Sequence, residues 1–293
     1  QRIDKIDHSP WYSIAGDIIY GSKLMRVGST PGHLTKALLL FFLSSHAGEA
    51  GHNCPIACSA GLIRVLQRCP TLQHQAEYIE KLTAPSFKHN HTAAQFITEL
   101  QGGSDVGANQ VMATENDDGT YSITGEKWFC SNANAELILM TARCNDSSGT
   151  AGLGLFLVPT TLDNGTHNHF NIRRLKEKIG TRALASAEID FNQAIGYPIT
   201  PLDSSFNILM EDVLHLSRLY NTFCVLGMGR RAYQIASGYA KHRSAFKHKI
   251  ISYPLVQANL TRIRCENTAL MAAAVATARL QDKLDINSTP NTA

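Results

Sequence analysis

The sequence predicts an α+β protein with several domains, in which helical segments flank a β-rich segment. Apolar residues recur at helical spacing up to about residue 95 and again from about residue 199. Between them, apolar runs of strand length are separated by turn sequences. We therefore predict three domains, an N-terminal helical domain over 1–95, a central β domain over 96–198 and a C-terminal helical domain over 199–293.

The first segment contains three short helical patterns. The first has apolar residues at Leu34, Ala37, Leu38, Phe41 and Phe42, just after Pro31 and Gly32. The second has them at Ile56, Ala60, Ile63 and Leu66. A third, shorter pattern covers residues 72–81. Cys54 and Cys58 are spaced to share one helix face, and we expect them to be buried as small apolar residues.

The middle segment has the pattern of a β domain. Residues 117–120, Asp-Asp-Gly-Thr, indicate a turn that joins strands near 111–113 and 121–123. Further strands are predicted over the apolar runs 137–141 and 153–159 and over the alternating run 187–191.

The final segment contains two long periodic stretches, residues 206–241 and 254–284. Each is either one long helix or a helix with a break. Gly227 and Gly229 follow a helical pattern rather than a strand, which argues against a dinucleotide fingerprint. We expect these glycines to permit close packing of helices.

Composition excludes some classes of protein. Hydrophobic residues make up 44% and charged residues 17% of the chain, which argues against disorder. The formal charge is only +3 and the basic residues are scattered, which favours solvated charges over a nucleic-acid-binding patch. Seven cysteines without a C-x-x-C motif indicate free thiols in a reducing compartment, so we expect a cytoplasmic protein. The longest apolar run, 37–43, is too short to span a membrane.

Two histidine pairs, His89 with His91 and His167 with His169, could bind a metal if they lay on strands. Neither pair has Cys, Asp or Glu clustered nearby at the spacing of a metal site. Loop histidines are therefore favoured, and we predict no metal site.

Two segments carry the chemistry. Residues 97–106 contain Gly102-Gly103-Ser104-Asp105, where glycines allow a close backbone approach and hydroxyls can bind a polar ligand. Residues 125–132 combine an aromatic pair, Trp128 and Phe129, with the hydroxyl of Ser131, a combination suited to a planar cofactor. Taken singly, the first segment reads as an ordinary turn and the second as the end of a buried strand.

Together, at this spacing, the segments resemble the two flavin-contacting signatures of the acyl-CoA dehydrogenase family. The resemblance implies that Ile97 and Thr98 contact FAD, with Thr98 at the pyrimidine side. It places Ser131 at the flavin N5/O4 edge and Phe129 along the ring. Ser104 would contact flavin or acyl-CoA.

A third segment, residues 239–246, resembles the family's Y-[AS]-x-x-R-x-x-F-G motif. The resemblance implies that Arg243 binds the FAD pyrophosphate of a neighbouring subunit, a role suited to a guanidinium. Phe246 completes the motif. Lys247 stands where the family has glycine, and Ala245 where it has threonine.

Several stretches resemble one branch of the family, the AidB-like flavoproteins. They are residues 49–56, 101–105, 174–182 and 194–197. The implied fold is an N-terminal helical domain, a β-barrel-like middle domain and a C-terminal four-helix bundle, with only about half of the bundle in this chain. Homotetramers or dimers are the implied assembly.

The resemblance implies no catalytic residue within this chain. The family's usual glutamate base would lie beyond residue 293, so we expect this stretch alone to be inactive. In some members the base precedes an Arg-Leu pair, but here Ser217 precedes Arg218-Leu219. Glu211 lies nearby and is expected to be a solvated helix carboxylate.

The resemblance leaves three functions open. The first is an FAD-dependent acyl-CoA dehydrogenase of fatty acid metabolism, which passes electrons to an electron-transfer flavoprotein. The second is an AidB-like flavoprotein of the alkylation-stress response, which binds DNA and has little dehydrogenase activity. The third is a degenerate homologue without flavin, which Thr98, Ser104 and Ser131 argue against.

Overall fold

The structure, a computed structural model, describes residues 4–48, 51–70, 72–199 and 201–288. The chain folds into two compact units. The first combines Gln1–Arg26 with Ala50–Ser217, and the second combines Val27–Glu49 with Arg218–Ala293. Element types do change near residues 96 and 199, whereas the compact units are assembled from separated stretches. The division into three consecutive domains stays a prediction.

Among the described residues, five helices precede the sheet, and the three predicted patterns are among them. They are α1 Pro10–Gly21, α2 Leu24–Gly28, α3 Leu34–His46, α4 Asn53–Arg68 and α5 Gln75–Leu82. Helix α4 is buried on nearly every side because the strand over 93–96, α5 and the stretch over 209–214 pack against it. At Gly61, an added Cβ would lie 2.8 Å from Gln95 Nε2 and 3.2 Å from Val213 Cγ1.

Seven strands form the sheet of the first unit. They are β1 Ala93–Phe96, β2 Met112–Glu115, β3 Tyr121–Ser131, β4 Leu137–Arg143, β5 Leu153–Pro159, β6 Phe170–Leu175 and β7 Ser186–Pro198. The order β4-β2-β3-β7-β5 closes into a ring because β5 also pairs with β4. The barrel-like middle predicted from the sequence is therefore confirmed.

The remaining strands attach outside the ring. β1 pairs with β4 in parallel, and β6 pairs with β7 antiparallel. The predicted turn at 117–120 joins β2 to β3, and Gly119 adopts a φ of +80° there. Fully buried side chains from alternate positions, such as Ile123, Met140 and Phe156, fill the interior.

The last third of the chain is mostly helical. Its elements are α6 Ser205–Ile208, a π-helical stretch Leu209–Leu214, α7 His215–His242, the short strands β8 Ser244–Ala245 and β9 His248–Lys249, and α8 Pro254–Ser288. The periodicity of residues 206–241 is compatible with one long helix or with a helix that has a break. The π stretch is that break. The second long stretch is one helix.

The second unit packs α3 against α8 and against the part of α7 that follows residue 217. Asp282 of α8 accepts hydrogen bonds from Leu34 N at 2.6 Å and Thr35 N at 3.1 Å, which satisfies free amides at the start of α3. At Gly227 of α7, an added Cβ would lie 2.6 Å from the carbonyl oxygen of Phe42. The expected role of Gly227 in close helix packing is therefore confirmed.

Within the described residues, no helix combines the length and apolar character needed to cross a membrane. The same part of the chain contains no group of three or more His, Cys, Asp or Glu residues placed to hold a metal ion. His167 instead donates from Nδ1 to the carbonyl of Asn168 at 2.6 Å and packs against the ring of Phe170.

Candidate functional site

A backbone hydrogen bond joins the two signature segments. β1 ends at Phe96, and the chain continues through Ile97 and Thr98 beside the middle of β3. The amide of Trp128 donates to the carbonyl of Thr98 at 2.9 Å. Ile97 and Thr98 are partly exposed, and Phe129 is 55% exposed. The structure thus places segments about thirty residues apart in sequence side by side.

A buried ion pair fixes this arrangement. Lys127 Nζ lies 2.8 Å from Glu99 Oε1, and both side chains are almost fully buried. Lys127 also donates to the carbonyl of Ile97 at 3.3 Å, while Glu99 accepts from the amides of Gln110 and Val111. Burial lowers the pKa of Lys127, and the neighbouring carboxylate opposes that shift. The pair holds residues 97–111 against β3.

Two glycines shape the turn after Thr98. An added Cβ at Gly103 would lie 2.5 Å from Thr98 Oγ1, well inside van der Waals contact. Gly102 adopts a φ of +122°, a conformation that other residues rarely adopt. Ser104 follows them and is exposed. The glycines therefore let the turn lie directly against the threonine hydroxyl.

A cation lies over the aromatic pair of β3. Lys176 Nζ is 3.5 Å from the ring centroid of Trp128 and 4.4 Å from that of Phe129. The two rings meet edge to face at 6.4 Å. Attraction between the ammonium and the ring faces stabilises this stack. The Lys176 ammonium and the Trp128 ring therefore both stabilise the position of the exposed Phe129 ring.

Lys176 is itself held by a buried carboxylate. Glu188 Oε1 lies 2.8 Å from Lys176 Nζ, and Arg174 binds both carboxylate oxygens at 3.0 Å. Hydrogen bonds from Arg174, followed by those from Lys176, hold the pKa of Glu188 at about 2. The carboxylate therefore stays ionised and keeps Lys176 over the rings.

Ser131 lies at the end of β3 in a cluster of polar side chains. Its Oγ is 3.4 Å from Ser186 Oγ, which accepts a 3.0 Å hydrogen bond from Lys178 Nζ. Cys54, in the first turn of α4, has a lowered pKa, chiefly because of its hydrogen bond with Cys58 and to a lesser degree because of Lys178 and Ser131. The expectation of buried cysteines is correct for Cys58, but Cys54 is only partly buried.

The third motif lies in the second unit, where Arg243 precedes a tight hairpin. β8 and β9 pair antiparallel and are connected by a two-residue turn. The turn residues Phe246 and Lys247 have φ angles of +50° and +70°. Two positive φ values are those of a type I′ turn. Lys247 thus keeps the backbone conformation that a glycine at this position would adopt. Arg243 is exposed, and Phe246 is 90% exposed.

The alternative position for a base holds no carboxylate. Ser217 Oγ is 3.5 Å from Gln95 Oε1, a weak polar contact. Glu211 is exposed, in agreement with the expectation from the sequence. Asp212 is buried, and that burial raises its pKa, but Arg68 NH1 lies 2.6 Å from its Oδ1. We assign this carboxylate to the packing of α4.

The residues of the first unit suit a flavin. An exposed aromatic ring offers a face for a planar ring system, while Thr98 and Ser131 offer hydroxyls to a polar edge. The glycine turn lets the backbone lie against Thr98, where a Cβ at Gly103 would collide with the threonine hydroxyl. Sequence reasoning missed Lys176, Lys178 and the Glu99–Lys127 pair. The sequence did contain a signal for this pair, because the first signature carries an acidic residue and the second a basic one. Such side chains are rarely buried unless they form an ion pair.

Two family models match this chain. The model "Acyl-CoA dehydrogenase, middle domain" matches residues 94–194, and "Acyl-CoA dehydrogenase, C-terminal domain" matches residues 206–292. The first match covers the barrel and its signature segments. The second covers α6, the π stretch, α7 and α8.

Related proteins match over most of the chain. "Acyl-CoA dehydrogenase family member 11" of Caenorhabditis elegans is 31% identical over 251 residues, which are 82% of this chain and 40% of that protein. "Putative acyl-CoA dehydrogenase AidB" of Escherichia coli is 31% identical over 246 residues, which are 80% of this chain and 44% of that protein. The chain thus spans less than half the length of these two relatives.

Solved structures share the fold. The crystal structure of Caenorhabditis elegans ACDH-11 in complex with C11-CoA superposes with a TM-score of 0.89 at 27% identity, covering 99% of this chain and 51% of that one. The butyryl-CoA dehydrogenase of Megasphaera elsdenii superposes with a TM-score of 0.71 at 18% identity, covering 97% and 84%. The second similarity shows the fold alone.

Proposed function

This chain belongs to the acyl-CoA dehydrogenase family, and on that premise we propose that it forms the flavin-contacting part of an FAD-dependent oxidoreductase. The proposed reaction is the α,β-dehydrogenation of an acyl-CoA. The observation that supports it most directly is the hydrogen bond from Trp128 N to Thr98 O. This bond joins the two signature segments beside the exposed ring of Phe129.

Each side chain has a proposed task. Bound FAD supplies the acceptor for the hydride that leaves the β-carbon of the substrate. Phe129 packs along the isoalloxazine ring, and Ile97 and Thr98 contact its pyrimidine side. Ser131 donates a hydrogen bond at the N5/O4 edge. Ser104, exposed at the turn, contacts flavin or the acyl-CoA.

Arg243 and Phe246 are proposed to act on a neighbouring subunit. A guanidinium can bind phosphate oxygens bidentately, and Arg243 is exposed beside a rigid two-residue turn. A homotetramer or dimer would follow from that role. We assign no base among the described residues, because Ser217, at the alternative position of the base, offers no carboxylate.

Substrate and electron acceptor follow from the relatives. ACDH-11 was solved with C11-CoA, which supports an acyl-CoA as the substrate class. We propose an electron-transfer flavoprotein as the acceptor, as expected from the family resemblance. None of the seven cysteines forms a disulfide bond, which supports the proposed cytoplasmic location.

The test is visible absorbance of the purified protein before and after anaerobic addition of a panel of acyl-CoAs. We expect a yellow protein whose flavin band is bleached by one of them. Ser131→Ala and Phe129→Ala should weaken flavin retention, whereas Ser122→Ala, also on β3, should not. A protein that carries no flavin and takes up none from solution would contradict the proposal.

The alternative is an AidB-like flavoprotein with little dehydrogenase activity, favoured by the 31% identity to the Escherichia coli protein. It predicts a yellow protein that no acyl-CoA bleaches and that shifts duplex DNA in an electrophoretic assay. Because phosphate contacts release counterions, that binding should fall steeply as salt rises. Bleaching by an acyl-CoA without a DNA shift would exclude this alternative.

A further inference from the structure

The loop between β6 and β7, residues 176–185, contacts the proposed flavin site at two points. Lys176, at the start of the loop, lies over the aromatic pair of β3. Lys178, two residues later, donates a 3.0 Å hydrogen bond from Nζ to the hydroxyl of Ser186. The function proposed above uses Ser131 of β3 and gives no task to Lys178 or Ser186.

Two further hydrogen bonds hold the Lys178 ammonium in place. Nζ donates to the carbonyl of Leu184 at 2.7 Å, on the other arm of the same loop. The amide of Lys176 donates to the carbonyl of Ser186 at 2.7 Å, which closes the loop at its base. The cation therefore has a defined position beside the Ser186 hydroxyl.

Ser186 faces Ser131 across the pairing of β3 with β7. After the register shift in the second half of β3, Ser131 pairs directly with Ser186. Side chains that lie opposite each other in an antiparallel pair point to the same face of the sheet, and the two Oγ atoms are 3.4 Å apart. Ser186 is only 5% exposed, whereas Ser131 is partly buried. Lys178, Ser186 and Ser131 thus form a hydrogen-bonded chain that begins at a cation and ends at the more exposed hydroxyl.

The donors and acceptors of the three groups decide the direction of this chain. An ammonium only donates, whereas a serine hydroxyl has one proton and two lone pairs. Ser186 therefore accepts from Lys178, and within the described residues the acceptor for its own proton is Ser131 Oγ. If Ser131 donated to Ser186 instead, the buried Ser186 proton would be left unpaired, which costs free energy. Ser186 accordingly donates to Ser131, and the Ser131 proton points away from Ser186.

We propose that Lys178 and Ser186 are positioning residues that make the Ser131 hydroxyl a hydrogen-bond donor to flavin N5. This inference rests on the proposed function, which puts Ser131 at the N5/O4 edge. N5 of oxidised flavin carries a lone pair, so it needs a proton from Ser131 rather than one of the serine lone pairs. The ammonium also polarises the Ser186 hydroxyl, which strengthens each donation along the chain.

The first measurement compares the Kd of the protein for FAD with its Kd for 5-deaza-FAD, in which a C–H group replaces N5. One hydrogen bond to N5 should make FAD bind about fivefold more tightly than the analogue. Lys178→Met should reduce this preference to below about twofold, and Lys178→Arg, which keeps a charged donor, should preserve it. Lys88→Met removes an exposed lysine of the same unit and is the control for the lost charge.

A second variant separates orientation of the hydroxyl from structural support. Ser186→Ala removes the group that competes for the Ser131 proton, so the preference for FAD should stay close to that of the parent. Adding Lys178→Met to Ser186→Ala should then change nothing further. The inference is overturned if Lys178→Met weakens both flavins equally, or if it lowers the preference as much with Ser186→Ala as without it.

Neutron diffraction of the protein exchanged into D2O tests the direction of the chain without flavin. The Ser186 deuteron should point at Ser131 Oγ, and a Ser131 deuteron directed at Ser186 Oγ would overturn the inference. Failure of the proposed function gives a different result, because the parent would then bind neither FAD nor 5-deaza-FAD. In that case the role toward N5 is contradicted as well, even with the deuterons in the expected direction.

Discussion

Lys127 Nζ and Glu99 Oε1 form a 2.8 Å ion pair inside the first unit, where water reaches neither side chain. Removing one partner of a buried pair leaves the other charge uncompensated. We expect Lys127→Met to lower the free energy of unfolding of this unit by about 3–5 kcal/mol. Trp11 and Trp128, the two tryptophans, both belong to this unit, so their fluorescence in urea measures it.

The exposed pair Lys5 with Asp7 supplies the control for that experiment. Lys5→Met should change the free energy of unfolding by less than about 1 kcal/mol. The double variant Lys127→Met with Glu99→Gln should be more stable than Lys127→Met alone, because it removes the unpaired charge. A double variant whose free energy of unfolding falls by the sum of the two single effects would contradict this account.

Gly103→Ala should weaken flavin binding because the new Cβ would displace the Thr98 hydroxyl, now 2.5 Å from that position. Titration of the protein with FAD, followed by flavin fluorescence, measures the change in Kd. Gly238→Ala is the matched control, since its added Cβ would have no atom within 4 Å apart from its chain neighbours and the backbone of its own helix. Equal affinity of the two variants would show that the glycine turn does not shape the cofactor site.

The stability of the first unit should depend on Glu188 in acid. Hydrogen bonds from Arg174 lower the pKa of this carboxylate from 4.5 to about 2 in the folded state. Its contribution is therefore fully present above 4.5 and is lost as the pH falls toward 2. In Glu188→Gln the unfolding midpoint should vary less over this range than in the parent. Parallel pH profiles of the two proteins would contradict the prediction.

Lys247→Gly should stabilise the hairpin that follows Arg243. A left-handed backbone costs a non-glycine residue about 1–2 kcal/mol, and Lys247 has a φ of +70°. The amide of Ile250 donates to the carbonyl of Arg243 across this hairpin at 3.0 Å. Its hydrogen exchange should slow in Lys247→Gly and stay unchanged in Lys241→Gly, where a helical residue is replaced instead.

Local sequence patterns predicted the individual strands and turns better than they predicted how the strands pair with one another. The turn at 117–120 predicted the β2–β3 hairpin because Gly119 supplies the positive φ that the turn requires. The strand-length runs at 137–141 and 153–159 likewise lie in β4 and β5. The pairings of β2 with β4, β3 with β7 and β5 with β7 had no signal in one sequence, because other strands lie between these partners along the chain.

The candidate site was predicted through the resemblance rather than through spacing. Ile97, Thr98, Phe129 and Ser131 lie on neighbouring segments, but whether they bind FAD stays a proposal. Lys176 could not be placed over Trp128 from the sequence, because the contact depends on the register between β6 and β7. The π stretch was also invisible, since one inserted residue barely changes helical periodicity.

The second unit is built from two separated stretches of the chain, and this sets the order in which its helices can assemble during synthesis. Helix α3 ends at His46, whereas its neighbours α7 and α8 supply the second unit only from Arg218 onward, about 170 residues later. At roughly 5–20 residues per second, ribosomes need about 10–35 s to make that stretch. During this time the side chains of Leu38 and Phe41, which are fully buried in the folded chain, lack their final neighbours. A nascent chain should therefore bind chaperones through α3 until α7 emerges.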